Sequence, residues 1–288
     1  MIIGHLSQWQ YLEKAAKMRK VPHAFLFSGP EKIGKKKIAF EFAKTLIGFK
    51  DGKGYPDLTL VEPEDGLIQI SQIRGLRSWL YLSSPLFKVV IIDNAHCMNS
   101  EAQSSLLKIL EEPRDKTVFI LITSFSKILL PTIISRVEVL NFYKMSDLEI
   151  KKYVQEQETD QISISKITAF SKGRIGLAID FLSDIEKLKK YEQIFQEIDL
   201  LSSSSLALRF SWAQKASKKE LKDIIIDLEI WLNYFRDIFL SKVKGVDIHY
   251  SFLRLKKILS LIQKTIFLIS TTNVNKKVAL EVLVMEIS

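Results

Sequence analysis

The sequence predicts an α/β domain with a parallel sheet of about five strands, followed by regions that are helical throughout. Three observations carry this. Apolar runs recur at residues 24–27, 89–92 and 117–122, the second of them β-branched throughout, as in strands covered on both faces. A glycine-bearing turn, SGPEKIGKK at 28–36, joins the first run to a helical stretch at 37–47, the strand–loop–helix order of an α/β unit. Beyond residue 205, apolar residues recur at three- and four-residue spacing, the period of helices.

Taken in order, residues 1–19 read as an amphipathic helix on the outside of the domain, and 24–27 as the first buried strand. After the helix at 37–47 comes a glycine-bearing loop, 48–57, then strands near 58–61 and 67–70. Ser71 is suited to N-cap a helix reaching about residue 82. The strand 89–92 closes on Asp93, and Ala102, Leu106, Leu107 and Leu110 share one face of a helix that Pro113 helps to stop. Strands at 117–122 and 137–140 complete the sheet. Residues 146–188 read as small helices, and the serines at 202–205 as a linker or a helix start. Three longer helices follow. The first carries Leu221, Ile224, Leu228, Trp231, Leu232, Phe235, Ile238 and Phe239, and the others cover 252–269 and 274–287. Such an aromatic stripe is more often core than ligand box, though its wide apolar arc leaves room for a partner interface.

Composition narrows the function classes. At 288 residues the chain has room for two or three domains, and its 47% hydrophobic content argues against disorder. No charge-free apolar run reaches the roughly 18 residues of a membrane span. The richest, 224–240, is broken by Asp227, Glu229, Arg236 and Asp237. With no basic patch and apolar core at the start, a cytoplasmic location and no membrane partner are expected. A single cysteine, Cys97, excludes an internal disulfide and a multi-cysteine zinc site. The net charge of +9 favours polyanionic partners without establishing one.

The chemistry concentrates in the loop after the first strand. Gly29, Gly34 and Lys35 fit the phosphate-binding pattern GxxxxGK[ST], in which backbone N–H groups and a helix N-terminus cradle phosphate and the lysine neutralises it. The hydroxyl that ligates magnesium in that pattern is replaced by Lys36, which in its charged form has no lone pair to offer. Lys32 also stands where a small residue would give the loop room. An acid at the end of a buried strand, as Asp93 is, handles magnesium in nucleotide-binding sheets or caps the next turn. The following Asn94 is an amide where hydrolysis needs a carboxylate to polarise water. Thr123 and Ser124 end the next strand as polar groups placed to reach a γ-phosphate. Ser135 and Arg136 precede the last strand, and spacing alone makes Arg136 an ordinary surface arginine.

Together these residues resemble a known family. PHA at 22–24, the loop 29–36, PD at 56–57, SQIR at 71–74, Asp93 with Ala95, LLKILEEP at 106–113 and LPTIISR at 130–136 are similar to AAA+ clamp-loader subunits. Among these the likeness is to the delta-prime class of bacterial DNA polymerase III. It covers roughly residues 4–140, and NKKVALE at 275–281 resembles the family's last helix.

The resemblance implies an AAA+ domain at 1–143, a small helical lid at 144–195 and a helical collar at 196–288. It also implies that Ser135 and Arg136 supply an arginine finger to ATP bound on a neighbouring subunit. Gly29, Gly34, Lys35, Asp93 and Thr123 become the remnants of a nucleotide site. No cofactor is expected to be required: Lys36 and Asn94 weigh against magnesium-ATP turnover, while Gly34 and Lys35 leave binding open. Val137 stands where relatives usually have cysteine, and the four-cysteine zinc module of many relatives is missing. Aligned on Gly173, the nucleotide-sensing arginine of active relatives falls at Gly176; Arg174 either substitutes for it or, as it reads more readily, is a surface residue. Implied partners are delta- and gamma/tau-type subunits in a hetero-pentamer, the sliding clamp indirectly, and primed DNA held without sequence specificity. The rival readings are a gamma-type motor, which needs other groups in place of Lys36 and Asn94, and a self-sufficient DNA-binding module, for which no reading motif stands out.

Overall fold

A computed structural model describes residues 3–48, 56–81, 87–114, 116–158 and 160–287. They form two compact units, Met1–Ser183 and Asp184–Ser288. In the first, five strands, β1 (Ala24–Ser28), β2 (Leu58–Val61), β3 (Lys88–Ile92), β4 (Thr117–Thr123) and β5 (Glu138–Asn141), make one sheet in the order β2-β3-β4-β1-β5. Every pairing is parallel. The alternation of side chains along each strand divides the core in two. Leu26, Val90, Ile92, Phe119 and Leu121 pack with α3 (Ile70–Tyr81) and α4 (Ser100–Glu111). Phe25, Phe27, Val89, Ile91, Val118 and Ile120 pack with α1 (Leu6–Lys17) and α2 (Lys35–Ile47). Burial on both faces is why these strands read as continuous apolar runs.

The sheet ladder continues past the strand ends. Gly29 N–H donates to Thr123 O, Asp93 N–H to Val61 O and Phe142 N–H to Ser28 O. Those bonds bring Gly29, Asp93 and Ser124 to one edge, the carboxyl ends of β1, β3 and β4. After the short α5 (Pro131–Ile134) and β5, three helices complete the unit: α6 (Asp147–Gln155), α7 (Gln161–Ser171) and α8 (Ile175–Ser183). Ser146 and Glu149 form a reciprocal capping box at the start of α6.

The second unit holds α9 (Ile185–Ser203), α10 (Leu206–Ala216), α11 (Leu221–Val243), α12 (Phe252–Thr271) and α13 (Lys276–Met285). The aromatic stripe is core: Ile224, Leu228, Trp231 and Phe235 are buried, and Trp231 stacks on Trp212 with ring centroids 4.8 Å apart.

Several expectations need correction. Residues 67–70 are not a strand: Leu67 and Ile68 make only isolated bridges, to Glu64 and Met98, and Ile70 already begins α3. Ser71 therefore lies inside that helix, and the Gln72 side chain accepts from Gln69 N–H at its start. The expected end of α3 at residue 82 and most of the loop 48–57 fall outside the described residues. The expected division at 195/196 falls within α9, an unbroken helix, whereas the two units part after Ser183. The serine run is a helix start, one of the two readings expected of it: Ser204 caps the end of α9 and Ser205 the start of α10, a helix without the strong apolar period of its neighbours.

Truncating Trp231 to alanine should lower the unfolding free energy by about 3–5 kcal/mol, the usual cost of emptying a fully buried aromatic site. Urea denaturation of the full chain followed by circular dichroism checks this, and an unshifted midpoint would contradict the packing described.

Candidate functional site

The loop between β1 and α2 has the shape of a phosphate cradle, held from outside by the rest of the first unit. Gly29 must be glycine, because a Cβ there meets Phe142 O at 2.3 Å. Gly34 turns into α2 at φ +96°, a conformation that favours glycine. Ile33, fully buried, anchors the loop in the core. Its carbonyl lies 2.9 Å from His5 Nε2, which must donate there because a carbonyl only accepts. Burial lowers the His5 pKa, partly opposed by that bond. The Lys32 carbonyl accepts from Gly176 N–H at 2.7 Å, and Lys32 Nζ pairs with Asp180 Oδ2 at 3.0 Å. Helix α8 is thus seated on the loop.

The two lysines that open α2 point into different surroundings. Lys35 is buried, and its Nζ donates to Gly29 O and Pro30 O, each at 2.5 Å, with Ser124 Oγ 3.5 Å away. Desolvation drives its pKa down to about 8, although Glu31 and Asp93 act to raise it. Lys36 reaches outward to Glu62 Oε1 at 2.5 Å and Asp93 Oδ2 at 3.2 Å. Burial acts to lower its pKa, but the bonds to Glu62 and Asp93 outweigh it and hold the ammonium charged.

Both oxygens of Asp93 are engaged, since Oδ1 accepts from Asn94 N–H at 3.0 Å. Asn94 sits at φ 49°, a left-handed position that asparagine tolerates. The donor set therefore does not fit magnesium: the hydroxyl ligand is missing and a cation stands against the acid. Thr123, fully buried, accepts from Phe125 N–H at 3.0 Å and pairs with His96 Nδ1 at 3.2 Å. Ser124, rather than Thr123, approaches Lys35.

Ser135 and Arg136 lie at the other edge of the sheet. Arg136 precedes β5 by two residues, and the register pairs Phe25 with Glu138 and Ser28 with Asn141. The finger candidate therefore stands six residue levels below Gly29, where the loop begins, on the order of 20 Å along a strand. The Arg136 guanidinium is partly exposed. It donates to Thr132 O at 3.0 Å and Ser135 Oγ at 3.4 Å and pairs with Glu111 Oε1 at 3.0 Å. Gln103 holds this segment to α4, accepting from Leu130 N–H at 2.8 Å while donating to Met98 O.

A family profile described as "DNA polymerase III, delta subunit" matches residues 4–146. The DNA polymerase III subunit delta' of Bacillus subtilis is 26% identical over 250 residues, covering 79% of this chain and 75% of its own. That of Pseudomonas aeruginosa is 34% identical over 134 residues, covering 40% of this chain and 41% of its own. The chain resembles clamp-loader subunits, those of this delta-prime class among them. Its fold agrees: a crystal structure of a DNA polymerase III gamma subunit-related protein from Thermotoga maritima superposes with a TM-score of 0.56. That match has 20% identity and covers 95% of this chain and 97% of the other. The fold is accordingly an AAA+ domain followed by helical regions.

Three residues around these two places escaped sequence reasoning. Glu62 lies just past β2 in a polar stretch, with no motif to mark it. Glu111 is masked by the helix-ending run that carries it. Gly176 reads as a missing sensor arginine, but it has a positive role: a Cβ there would meet Lys32 O at 2.7 Å, so only glycine lets α8 approach the loop. Arg174 is not the surface residue expected. It is buried, and its Nε donates to Ser171 O at 3.2 Å.

Between pH 8 and about 10.5 the unfolded chain keeps a proton on Lys35 that the folded chain has released, so raising the pH there favours the folded form. Relative to Lys35→Met, the wild-type chain should gain on the order of 1–3 kcal/mol over that window. Paired denaturation curves at pH 7.5 and 10 measure this, and parallel behaviour of the two proteins would contradict the buried ammonium.

Proposed function

We propose that the chain is a non-hydrolysing, delta-prime-type subunit of a replicative clamp loader. In this reading it joins delta- and gamma/tau-type subunits in a cytoplasmic hetero-pentamer and presents Arg136 to ATP bound by a neighbour. The complex then opens a sliding clamp and places it on primed DNA. Residues beyond the sheet divide into lid and collar, the collar holding the ring together.

The observation that carries the proposal is the placement of the two candidate sites on opposite edges of one parallel sheet. Arg136 lies too far from Lys35 to serve the chain's own P-loop, yet its guanidinium is held in place and reachable from solvent. A guanidinium in that position can stabilise charge on a phosphoryl group supplied by another molecule. Lys36 on Asp93, and Asn94 in place of a base, support the non-hydrolysing half. They weigh against the motor reading, which needs both functions. Among the described residues no helix is long and apolar enough to cross a membrane.

Reconstituted with its partner subunits, Arg136→Ala should leave assembly unchanged by light scattering while slowing ATP turnover at the affected site by about a thousandfold or more. Unchanged turnover would remove the finger assignment. The purified chain alone should show no magnesium-dependent turnover, and turnover abolished by Lys35→Ala would establish the motor instead.

A further inference from the structure

We infer that the Lys36 ammonium is a tethered counter-ion occupying what would otherwise be a divalent-cation site formed by Asp93 and Glu62. Lys36 belongs to the first turn of α2, Glu62 follows β2 and Asp93 follows β3, so one ammonium ties three elements together at the carboxyl edge of the sheet. Each carboxylate oxygen it meets comes from a different strand end, and both lie within 3.2 Å of its Nζ. A lysine in this position supplies one positive charge, is attached to the chain, and cannot be removed by a chelator or exchanged with solvent.

The exposure of the three groups is uneven, and this sets what the pair does. Lys36 and Glu62 are 41% and 50% exposed, whereas Asp93 is 14% exposed. Exposed pairs add little to stability, so losing the ammonium should leave the fold standing. What it changes is the charge of the site: two carboxylates, one of them largely shielded from water, would lose the ammonium that contacts them both. Hard oxygen ligands with an uncompensated negative charge recruit a divalent cation. The hydrogen bond from Gly176 N–H to Lys32 O and the Lys32–Asp180 ion pair keep α8 on the loop in the same way, through groups of the chain itself.

The inference deepens the non-hydrolysing half of the proposed function and makes no use of Arg136. It also stands apart from Asn94, so its failure would leave both the finger and the missing base untouched. The test is manganese binding, read by the electron paramagnetic resonance of free Mn2+, with and without ADP, for the wild-type full chain, Lys36→Ser and Lys36→Ala. Either variant should bind Mn2+ at least about tenfold more tightly than wild type, and Asp93→Asn added to that variant should abolish the gain. Magnesium should raise the melting temperature of the variant and leave that of the wild type unchanged. Wild-type binding as tight as that of the variants, or no gain in either variant, would overturn the inference.

Discussion

The polarity of one sheet governs the first unit. All five strands run in the same direction, so every loop at their carboxyl ends converges on one edge and every entering segment on the other. The P-loop, Asp93 and Ser124 share the first edge because β1, β3 and β4 are neighbours there. Arg136 lies at the second because it enters β5. No side-chain movement interchanges these positions. A parallel sheet needs helices on both faces, and the two core clusters supply them, so the separation is fixed by the hydrophobic core rather than by surface contacts.

At the first edge, groups of the chain stand where a ligand's charges would be met. Lys35 satisfies itself on the carbonyls of Gly29 and Pro30, and Lys36 lies on two carboxylates. The Lys32 and Ile33 carbonyls are taken by Gly176 and His5. The energetic consequences differ. Lys35 bears a desolvation cost, seen in its depressed pKa of about 8. Lys36, more exposed and doubly paired, is held in its charged form. Two adjacent lysines of identical chemistry thus titrate in opposite directions because one faces into the loop and the other away from it.

Much of this was legible in the sequence, because sheet strands covered on both faces leave long apolar runs and a phosphate loop needs glycine at particular places. Gly29, Gly34, Asp93 and the helix after residue 99 were readable on those grounds. The false strand at 67–70 arose from a short apolar run that packs under α3 without joining the sheet, a distinction that periodicity does not make. Arg174 was misread because exposure is a tertiary property: its guanidinium turns back to Ser171 within the α7–α8 connection. Glu62 and Gly176 meet Lys36 and Lys32 only after folding brings together segments about 25 and 140 residues apart, and no local pattern records that meeting.

The surroundings of Arg136 combine fixation with release. Thr132 O and Ser135 Oγ come from its own turn, and Gln103 secures the start of that turn to α4 through one buried and one half-buried bond, so the backbone beneath the arginine is tied to the helix. The Glu111 carboxylate, in contrast, is 43% exposed, and a pair of that kind contributes little net energy. A phosphate oxygen carried by another molecule can therefore displace Glu111 at small cost without disturbing the turn. The proposed finger is aimed by its backbone and only loosely held by its ion pair, which is the arrangement a group acting on a partner's nucleotide requires.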